Sequence, residues 1–227
     1  MSTVTRGTTP AVEEAVHVLP QTSQLRALHA TIRDRSADRE TFVRDAGRII
    51  RRLVEAALDL LPFETYDVQT PVGRTYHGMR IGVPFCGVAV ARAGESMEAG
   101  LRAVEPGVRI GKILVQRDTV TKQPRLYYSK LPDDIADRHV LLLDPMLATG
   151  GTALAAIDVL IGSGVPADHI VFVNLLSAPE GIAVVRGRFP QVRMVTSAVE
   201  ERLNENAYML PGIGDFGDRY FGTEPLR

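Results

Sequence analysis

The chain has 227 residues, of which 45% are hydrophobic and 23% charged, and its formal net charge is −1. This length and composition fit one α/β domain with an ordinary buried core. A net charge near zero argues against nucleic acid or a membrane surface as a partner, because no basic field attracts either. With Cys86 as the single cysteine, the sequence excludes an internal disulfide and a zinc site made of thiolates.

The N-terminal part of the sequence contains an unpatterned stretch, a helix and a hairpin. Residues 1–21 have no clear periodicity and are predicted to form an arm ahead of a single domain at residues 22–227. They lack the apolar stretch of a secretion signal, and no segment has the length of a membrane span, so we expect a cytoplasmic protein. Apolar residues at three- and four-residue spacing predict a helix from about Asp38 to Leu61. The following segment, TYDVQTPVGRTYHG, predicts a β-hairpin outside the main sheet.

Short apolar runs rich in β-forming residues then recur along the chain. The runs are IGVPFCGVAV, VRIGKILVQ, HVLLLD, HIVFVNLL and VRMVTSAV, with helices expected at residues 95–103, 151–161 and 180–189. Near-continuous apolar strands are typical of a parallel sheet that helices cover on both faces. We therefore predict an open, mostly parallel five-stranded α/β sheet, with a small hood and a β flap at PRLYYSKLP. Ligands bind such sheets at the carboxyl ends of the strands.

The strongest local signal is the segment HVLLLDPMLATGGTALAAIDVL. A buried strand ends at Asp144, a short loop follows, and a helix begins at once. Gly150 and Gly151 let the backbone approach a phosphate, and the helix N-terminus presents N–H groups to it. Asp144 is placed to hold ribose hydroxyls. The predicted phosphate and ribose site consists of Asp144, Pro145, Met146, Leu147, Ala148, Thr149, Gly150, Gly151 and Thr152.

Other interpretations of this loop are weaker. A P-loop would need a lysine after the glycines, and the GxGxxG pattern of a dinucleotide site is absent. An ordinary strand-to-helix turn would not require an apolar strand, an acid and TGGT together. The segment resembles the phosphoribosyl pyrophosphate motif of type I phosphoribosyltransferases. Many members of that class have two adjacent acids, whereas Pro145 replaces the second here, and DPMLATGG is the form found in uracil phosphoribosyltransferases.

Two arginines follow neighbouring runs of the predicted sheet. Arg92 comes after the first run and Arg117 after the second, so we expect them to converge at the edge where ligands bind. Their planar forks suit a pyrophosphate group. Ser96 gives a near miss to the nucleophile elbow of hydrolases, which needs a second glycine, and is interpreted as a helix-start residue. The segments RAGESME and RIGKILVQRD resemble the eukaryotic-type branch of uracil phosphoribosyltransferases.

The C-terminal run NENAYMLPGIGDFGDRYFGT, residues 204–223, has no helical period and is rich in glycine, acids and aromatic residues. It is expected to form a loop that walls a pocket. It is similar to the uracil-recognition segment YxxPGxGDxGDR of the same family. The resemblance implies that Met209, Gly214, Asp215 and Phe216 line the base. It also implies that Asp215 reaches phosphoribosyl pyrophosphate or its metal, which makes Asp215 a candidate catalytic residue beside Arg92 and Arg117.

The resemblance implies an enzyme that joins uracil to phosphoribosyl pyrophosphate and releases UMP and pyrophosphate. It further implies Mg²⁺ held mainly by substrate oxygens, with no direct protein ligands, and a homodimer or homotetramer. GTP activates some relatives, so GTP is an open candidate for an activator. One alternative is a phosphoribosyltransferase for another base, against which the C-terminal run argues. The other is a regulatory or partner-binding protein of the same fold without turnover, which we would expect to have lost some of the three motifs.

Overall fold

The computed structural model describes residues 15–117 and 124–223. For residues 117 and 124 it describes the backbone but not the side chain. In this part the helices are α1 (Ser23–Arg33), α2 (Arg39–Leu58), α3 (Glu98–Val104), α4 (Gly151–Gly162), α5 (Pro179–Arg188) and α6 (Phe216–Phe221). The first strands are β1 (Val16–Val18), β2 (Phe63–Gln69), β3 (Thr75–Ile81), β4 (Phe85–Ala91), β5 (Arg109–Arg117) and β6 (Pro124–Lys130). The later strands are β7 (His139–Leu143), β8 (Met146–Leu147), β9 (Ile170–Ser177), β10 (Arg193–Val199), β11 (Arg202–Leu203) and β12 (Met209–Leu210).

The predicted mostly parallel α/β sheet is confirmed. Its strand order is β1-β10-β9-β7-β4-β5-β6, and the short β8 also pairs with β9. The pairs are parallel except that of β5 with β6. The five predicted runs form β4, β5, β7, β9 and β10. Within the described residues the sheet has eight strands rather than five. The predicted flap joins it as β6, while β1 and β8 are too short for a periodicity to reveal.

Two hydrophobic cores cover the two faces of this sheet, and β7 shows how one strand supplies both. Leu141 and Leu143 point into the core built with α1, α2 and α3. Val140 and Leu142 point into the core built with α4 and α5. All four side chains are fully buried. Because successive side chains of a strand face opposite sides, burial on both faces produces the near-continuous apolar runs seen in the sequence.

The predicted helices form within a few residues of their expected bounds, except that the helix predicted at residues 95–103 divides in two. A 3-10 helix at Ala93–Met97 precedes α3. At the start of α2, Asp38 caps the helix by accepting the Thr41 N–H at 2.7 Å. Helix α1 has no counterpart among the predicted elements. Its buried residues Leu25, Leu28, His29 and Ile32 pack it into the core beside α2.

The two ends of the described chain differ from the sequence-based expectation. The expectation that residues 204–223 contain no helix is wrong, because α6 forms there. Asp215 caps that helix, whose six residues are too few for a period to be visible in the sequence. Of the predicted arm, residues 1–14 lie outside the described residues. Its last part contains β1, which pairs with β10 at the edge of the sheet.

As predicted, β2 and β3 form an antiparallel hairpin that is separate from the main sheet.

Candidate active site

The loop between β7 and α4 has the geometry of an anion cradle. Gly150 precedes α4 with a φ of +83°, in the left-handed region that favours glycine. A Cβ at this position would lie 2.9 Å from Val184 Cγ1. As the cap residue, a glycine has no side chain to accept hydrogen bonds from the first-turn amides of α4. Those N–H groups, with the positive end of the helix dipole, are therefore suited to bind a phosphate.

Asp144 lies directly after β7, and its residue is 8% exposed. Its Oδ1 accepts the Met146 N–H at 3.3 Å, and its backbone carbonyl accepts Asn174 Nδ2 at 2.7 Å. Burial raises the pKa of the Asp144 carboxyl to about 7, and the hydrogen bond from Met146 only partly opposes this shift. Asn174 is fully buried in β9. Asn174 was not among the predicted site residues, although a polar residue inside the apolar run HIVFVNLL is a visible signal.

Arg92 directly follows β4, and Arg117 ends β5. The two strands are adjacent and parallel, with Ala91 paired with Leu114. Arg117 is the last residue of β5, and its side chain lies outside the described residues. Arg92 Nη2 donates to Asp218 Oδ1 at 2.6 Å, and Nη1 donates to Thr223 Oγ1 at 2.7 Å. The structure thus joins Arg92 to the C-terminal segment. Convergence of the two arginines on a pyrophosphate stays a prediction.

The turn after β4 is shaped by contact with the end of β7. A Cβ at Gly94 would lie 2.2 Å from the Leu143 carbonyl oxygen, so backbone packing requires a glycine here. Ser96 Oγ donates to the Ala93 carbonyl at 2.7 Å within the 3-10 helix, in keeping with a helix-start residue. In the strand before this turn, Cys86 is fully buried, and burial raises its thiol pKa to about 12. Such a thiol is not a nucleophile at neutral pH.

A cavity of about 400 Å³ lies between the loop that follows β7 and the C-terminal loop. The residues predicted to line the base all border it, together with two residues of the first loop: Met146, Ala148, Met209, Gly214, Asp215 and Phe216. The two loops are about sixty residues apart in the sequence, and the sheet brings them together at one edge. We refer to this space as the base cavity.

The side chains of Asp215 and Phe216 are both engaged within the protein. Asp215 Oδ1 accepts the Asp218 N–H at 2.8 Å and thereby caps α6. Phe216 is 1% exposed, and its ring lies 5.4 Å from that of Phe42 and 5.5 Å from that of Tyr220, measured between centroids. Phe216 therefore anchors the loop in the core. The roles of these residues toward a substrate stay predictions.

Two arginines that the sequence analysis did not single out support the other side of the C-terminal loop. Arg33 Nη1 donates to the Gly212 carbonyl at 3.1 Å. Arg219 Nη1 donates to the Ile213 carbonyl at 2.9 Å. Arg33 also forms an ion pair with the buried Glu200, at 2.5 Å between Nη2 and Oε1. No local pattern could have revealed these contacts, because Arg33 and Glu200 are separated by 167 residues in the sequence.

Asp144 follows β7 and Asp215 borders the base cavity, and both carry carboxylate oxygens, the ligand type that Mg²⁺ prefers. Within residues 15–117 and 124–223, no group of three or more His, Cys, Asp or Glu side chains could hold a metal ion by itself. In the same part of the chain, no helix has the length and apolar character needed to cross a membrane.

Comparison with known proteins is consistent with this geometry. A family model described as uracil phosphoribosyltransferase matches residues 18–223. The uracil phosphoribosyltransferase of Dictyostelium discoideum is 52% identical, over 93% of this chain and 98% of that protein. That of Saccharomyces cerevisiae is 50% identical, over 91% of this chain and 95% of that protein.

Solved structures also share the fold. The AQ2163 protein of Aquifex aeolicus superposes with a TM-score of 0.80 at 28% identity, over 93% of this chain and 100% of that one. The adenine phosphoribosyl transferase of Trypanosoma brucei, in complex with AMP, pyrophosphate and ribose-5-phosphate, gives a TM-score of 0.57 at 16% identity. That alignment covers 90% of this chain and 89% of the other, and at this identity it supports the fold alone.

Proposed function

The chain belongs to the uracil phosphoribosyltransferase family, and we propose that its base cavity is where uracil is joined to phosphoribosyl pyrophosphate. The protein is a pentosyltransferase of pyrimidine salvage, and its products are UMP and pyrophosphate. The observation that carries the assignment of the site is the shared cavity. It joins the phosphate-cradle loop to the loop predicted to read the base.

The cradle and the strand ends would hold phosphoribosyl pyrophosphate. In this proposal the backbone N–H groups around Gly150 and Gly151 bind the 5′-phosphate, and Asp144 accepts hydrogen bonds from the ribose hydroxyls. Arg92 and Arg117 bind the pyrophosphate and stabilise the charge that grows on it as it leaves. The contacts of Arg92 with Asp218 and Thr223 support this role, because they fix the guanidinium beside the C-terminal segment that borders the base cavity.

The reaction is a displacement at the anomeric carbon of the ribose. A uracil ring nitrogen forms the new bond to this carbon and loses its proton to the departing pyrophosphate or to water, while the bond to the pyrophosphate oxygen breaks and leaves its electron pair on that oxygen. Because the ribose gains cationic character in between, catalysis consists mainly of positioning and electrostatic stabilisation. The backbone from Gly214 to Phe216 orients the base, and Asp215 places a negative charge nearby.

We propose that the reaction uses Mg²⁺, because the substrate, Asp144 and Asp215 all offer oxygen ligands. Bound mainly through substrate oxygens, it would neutralise charge on the pyrophosphate. From the family resemblance we also propose that GTP activates the enzyme. On the same basis we propose that the protein is located in the cytoplasm.

A homodimer or homotetramer is supported by the hairpin of β2 and β3, which exposes large apolar side chains. These are Phe63, Tyr66, Val68, Val72, Tyr76 and Met79. Exposed apolar surface of this kind is typical of an interface between protein chains. Light scattering coupled to size-exclusion chromatography should give a mass of two or four chains. A mass near the 24.8 kDa of one chain would contradict this part of the proposal.

A conversion assay tests the function. Purified protein with labelled uracil, phosphoribosyl pyrophosphate and Mg²⁺ should form UMP and an equal amount of pyrophosphate, and adding a chelator should stop the reaction. The alternative, a regulatory protein of this fold, predicts binding of phosphoribosyl pyrophosphate without any UMP. Absence of UMP under these conditions, with binding intact, would favour that alternative.

A further inference from the structure

Glu200 is a buried carboxylate that the proposed reaction does not use. It lies directly after β10, at the carboxyl edge of the sheet, and its side chain is 1% exposed. Burial by itself would raise its pKa, but the hydrogen bonds from Arg33 and from the Gly212 N–H, together with the nearby charges of Arg33 and His29, outweigh burial, and the net shift is downward. Glu200 is therefore ionised at neutral pH. A buried charge is costly unless it is paired, so the partners of Glu200 indicate what it does.

Arg33, the last residue of α1, is the charged partner. Its Nη1 donates to Glu200 Oε2 at 3.0 Å, and its Nη2 donates to Oε1 at 2.5 Å. Both oxygens of the carboxylate are thus held by the planar fork of one guanidinium, which is the most directional form of ion pair. The pair joins the end of α1 to the end of β10.

Gly212 docks on this ion pair through both of its backbone groups. Its N–H donates to Glu200 Oε2 at 2.6 Å, and its carbonyl accepts Arg33 Nη1 at 3.1 Å. The φ of Gly212 is +68°, and a Cβ there would lie 2.2 Å from the Met209 carbonyl oxygen. The ion pair therefore holds the peptide groups on both sides of Gly212, in a backbone conformation that glycine adopts more readily than other residues.

The ion pair lies behind the base cavity rather than in it. Pro211 and Ile213 line the cavity, whereas Arg33 and Glu200 are absent from its described lining. Gly212, between those two residues, borders a separate surface pocket together with Arg33. Pro211, Ile213 and Gly214 border both spaces, so the loop lies between them, and contacts at Gly212 act on it from the side of the surface pocket. Gly214, where the predicted base-reading segment begins, is two residues further along.

We propose that Arg33 and Glu200 are positioning residues for uracil, which hold the 212–214 backbone so that the loop presents a fixed edge to the base. This inference rests on the proposed function. A recognition edge made of backbone groups cannot adjust by changing rotamers, so its accuracy depends on what fixes the backbone. A displacement of about 1 Å in a positioning element can cost up to about a hundredfold in rate.

Steady-state kinetics of Arg33→Lys and Glu200→Gln test the inference. A lysine keeps the charge but cannot donate to both carboxylate oxygens and to the Gly212 carbonyl in one geometry. We expect the KM for uracil to rise on the order of tenfold in each variant, with the KM for phosphoribosyl pyrophosphate within about twofold of the wild type. The double variant should resemble the single variants, because both remove one shared interaction. KM does not depend on the folded fraction, so partial unfolding leaves this result interpretable.

Arg138→Lys is the matched control. Arg138 forks onto Asp134 with bonds of 2.8 and 2.6 Å, and its side chain is 14% exposed against 24% for Arg33. It lies just before β7, at the amino edge of the sheet and away from the base cavity. Both KM values of this variant should stay at the wild-type level.

Hydrogen–deuterium exchange supplies a readout that does not require turnover. Amides of the 209–216 segment should exchange on the order of tenfold faster in Arg33→Lys than in the wild type or in Arg138→Lys. Unchanged exchange, or equal increases in both KM values, would overturn the positioning role. A wild-type protein that makes no UMP would instead refute the proposed function, and the exchange comparison would still decide whether the pair fixes the loop.

Discussion

Asp144 is under two opposing demands. Its position after β7 and next to the cradle suits a ligand for ribose hydroxyls, for which an ionised carboxylate is the better acceptor. Its burial favours the neutral acid and raises its pKa to about 7. In the protein without substrate, ionising Asp144 at neutral pH therefore lowers stability, although the ionised form is the better ligand. Such conflicts between stability and binding are common at functional sites.

Replacement of Asp144 by Asn should separate these two effects. Activity should fall on the order of a hundredfold in kcat/KM for phosphoribosyl pyrophosphate, because a charge-assisted contact is lost. Between about pH 4 and 7 the folded wild type holds a proton that the unfolded chain has released, so wild-type stability falls as pH rises through this window. Asp144→Asn has no such loss. Its Tm relative to the wild type should increase from pH 4 to pH 8, and a constant difference would show that folding does not raise the pKa of Asp144.

Arg92 is predicted to contact the leaving pyrophosphate. Arg92→Ala should lower kcat/KM about tenfold to a thousandfold, and Arg92→Lys should restore only part of it, because an ammonium cannot replace the fork. The same is expected of Arg117. Arg109→Ala is the control, since Arg109 is also half exposed and paired with a carboxylate, Asp134, but begins β5 at the opposite edge. Wild-type turnover in both active-site alanine variants would refute the pyrophosphate assignment.

Helix α4 and the loop before it have the geometry proposed to bind a phosphate, because a glycine lies where the backbone turns into the helix. The same helix offers an internal control, since Gly150 before it and Gly164 after it both have positive φ, +83° and +92°. An alanine at either position strains the backbone, but only the first lies at the proposed phosphate site.

Gly150→Ala should weaken binding of phosphoribosyl pyrophosphate by about tenfold or more, the equivalent of one hydrogen bond to a charged group. Gly164→Ala should leave this Kd unchanged although it also lowers the Tm. Calorimetric titration measures both variants. Equal affinities would mean that the loop is an ordinary strand-to-helix turn.

The elements differ in how far the sequence could predict them. The strand, acid, glycines and helix of the 139–160 segment are contiguous, so local patterns were sufficient. The ion pair of Arg33 with Glu200 depends on the fold to join residues 167 positions apart. Gly94 is required by its close packing against the Leu143 carbonyl, a contact between separate segments that no local pattern shows. Helix α6 was missed because a cap and six residues carry no period.

For the whole molecule, the parallel topology is the physical reason to propose that three separated motifs form one site. Parallel strands bring their carboxyl ends to one edge, so β4, β5 and β7 end there although their sequences are not similar. The C-terminal loop then closes over this edge, held by Phe216 in the core and by Arg33 and Arg219 from behind. The three motifs are visible in the sequence, whereas the contacts of Arg33 and Arg219 with the C-terminal loop could not be predicted from it.

Base selectivity tests the central claim most directly, since a fixed backbone edge must match one pattern of donors and acceptors. Uracil offers acceptor, donor, acceptor, and cytosine inverts two of these three, at roughly 1–3 kcal/mol for each buried group left unpaired. Turnover should be compared for uracil, 5-fluorouracil, cytosine and hypoxanthine at equal concentration with phosphoribosyl pyrophosphate and Mg²⁺. The account predicts that uracil and 5-fluorouracil react, that cytosine is slower by about a hundredfold or more, and that the second ring of hypoxanthine is excluded by the loop. Cytosine or hypoxanthine reacting as fast as uracil would contradict it.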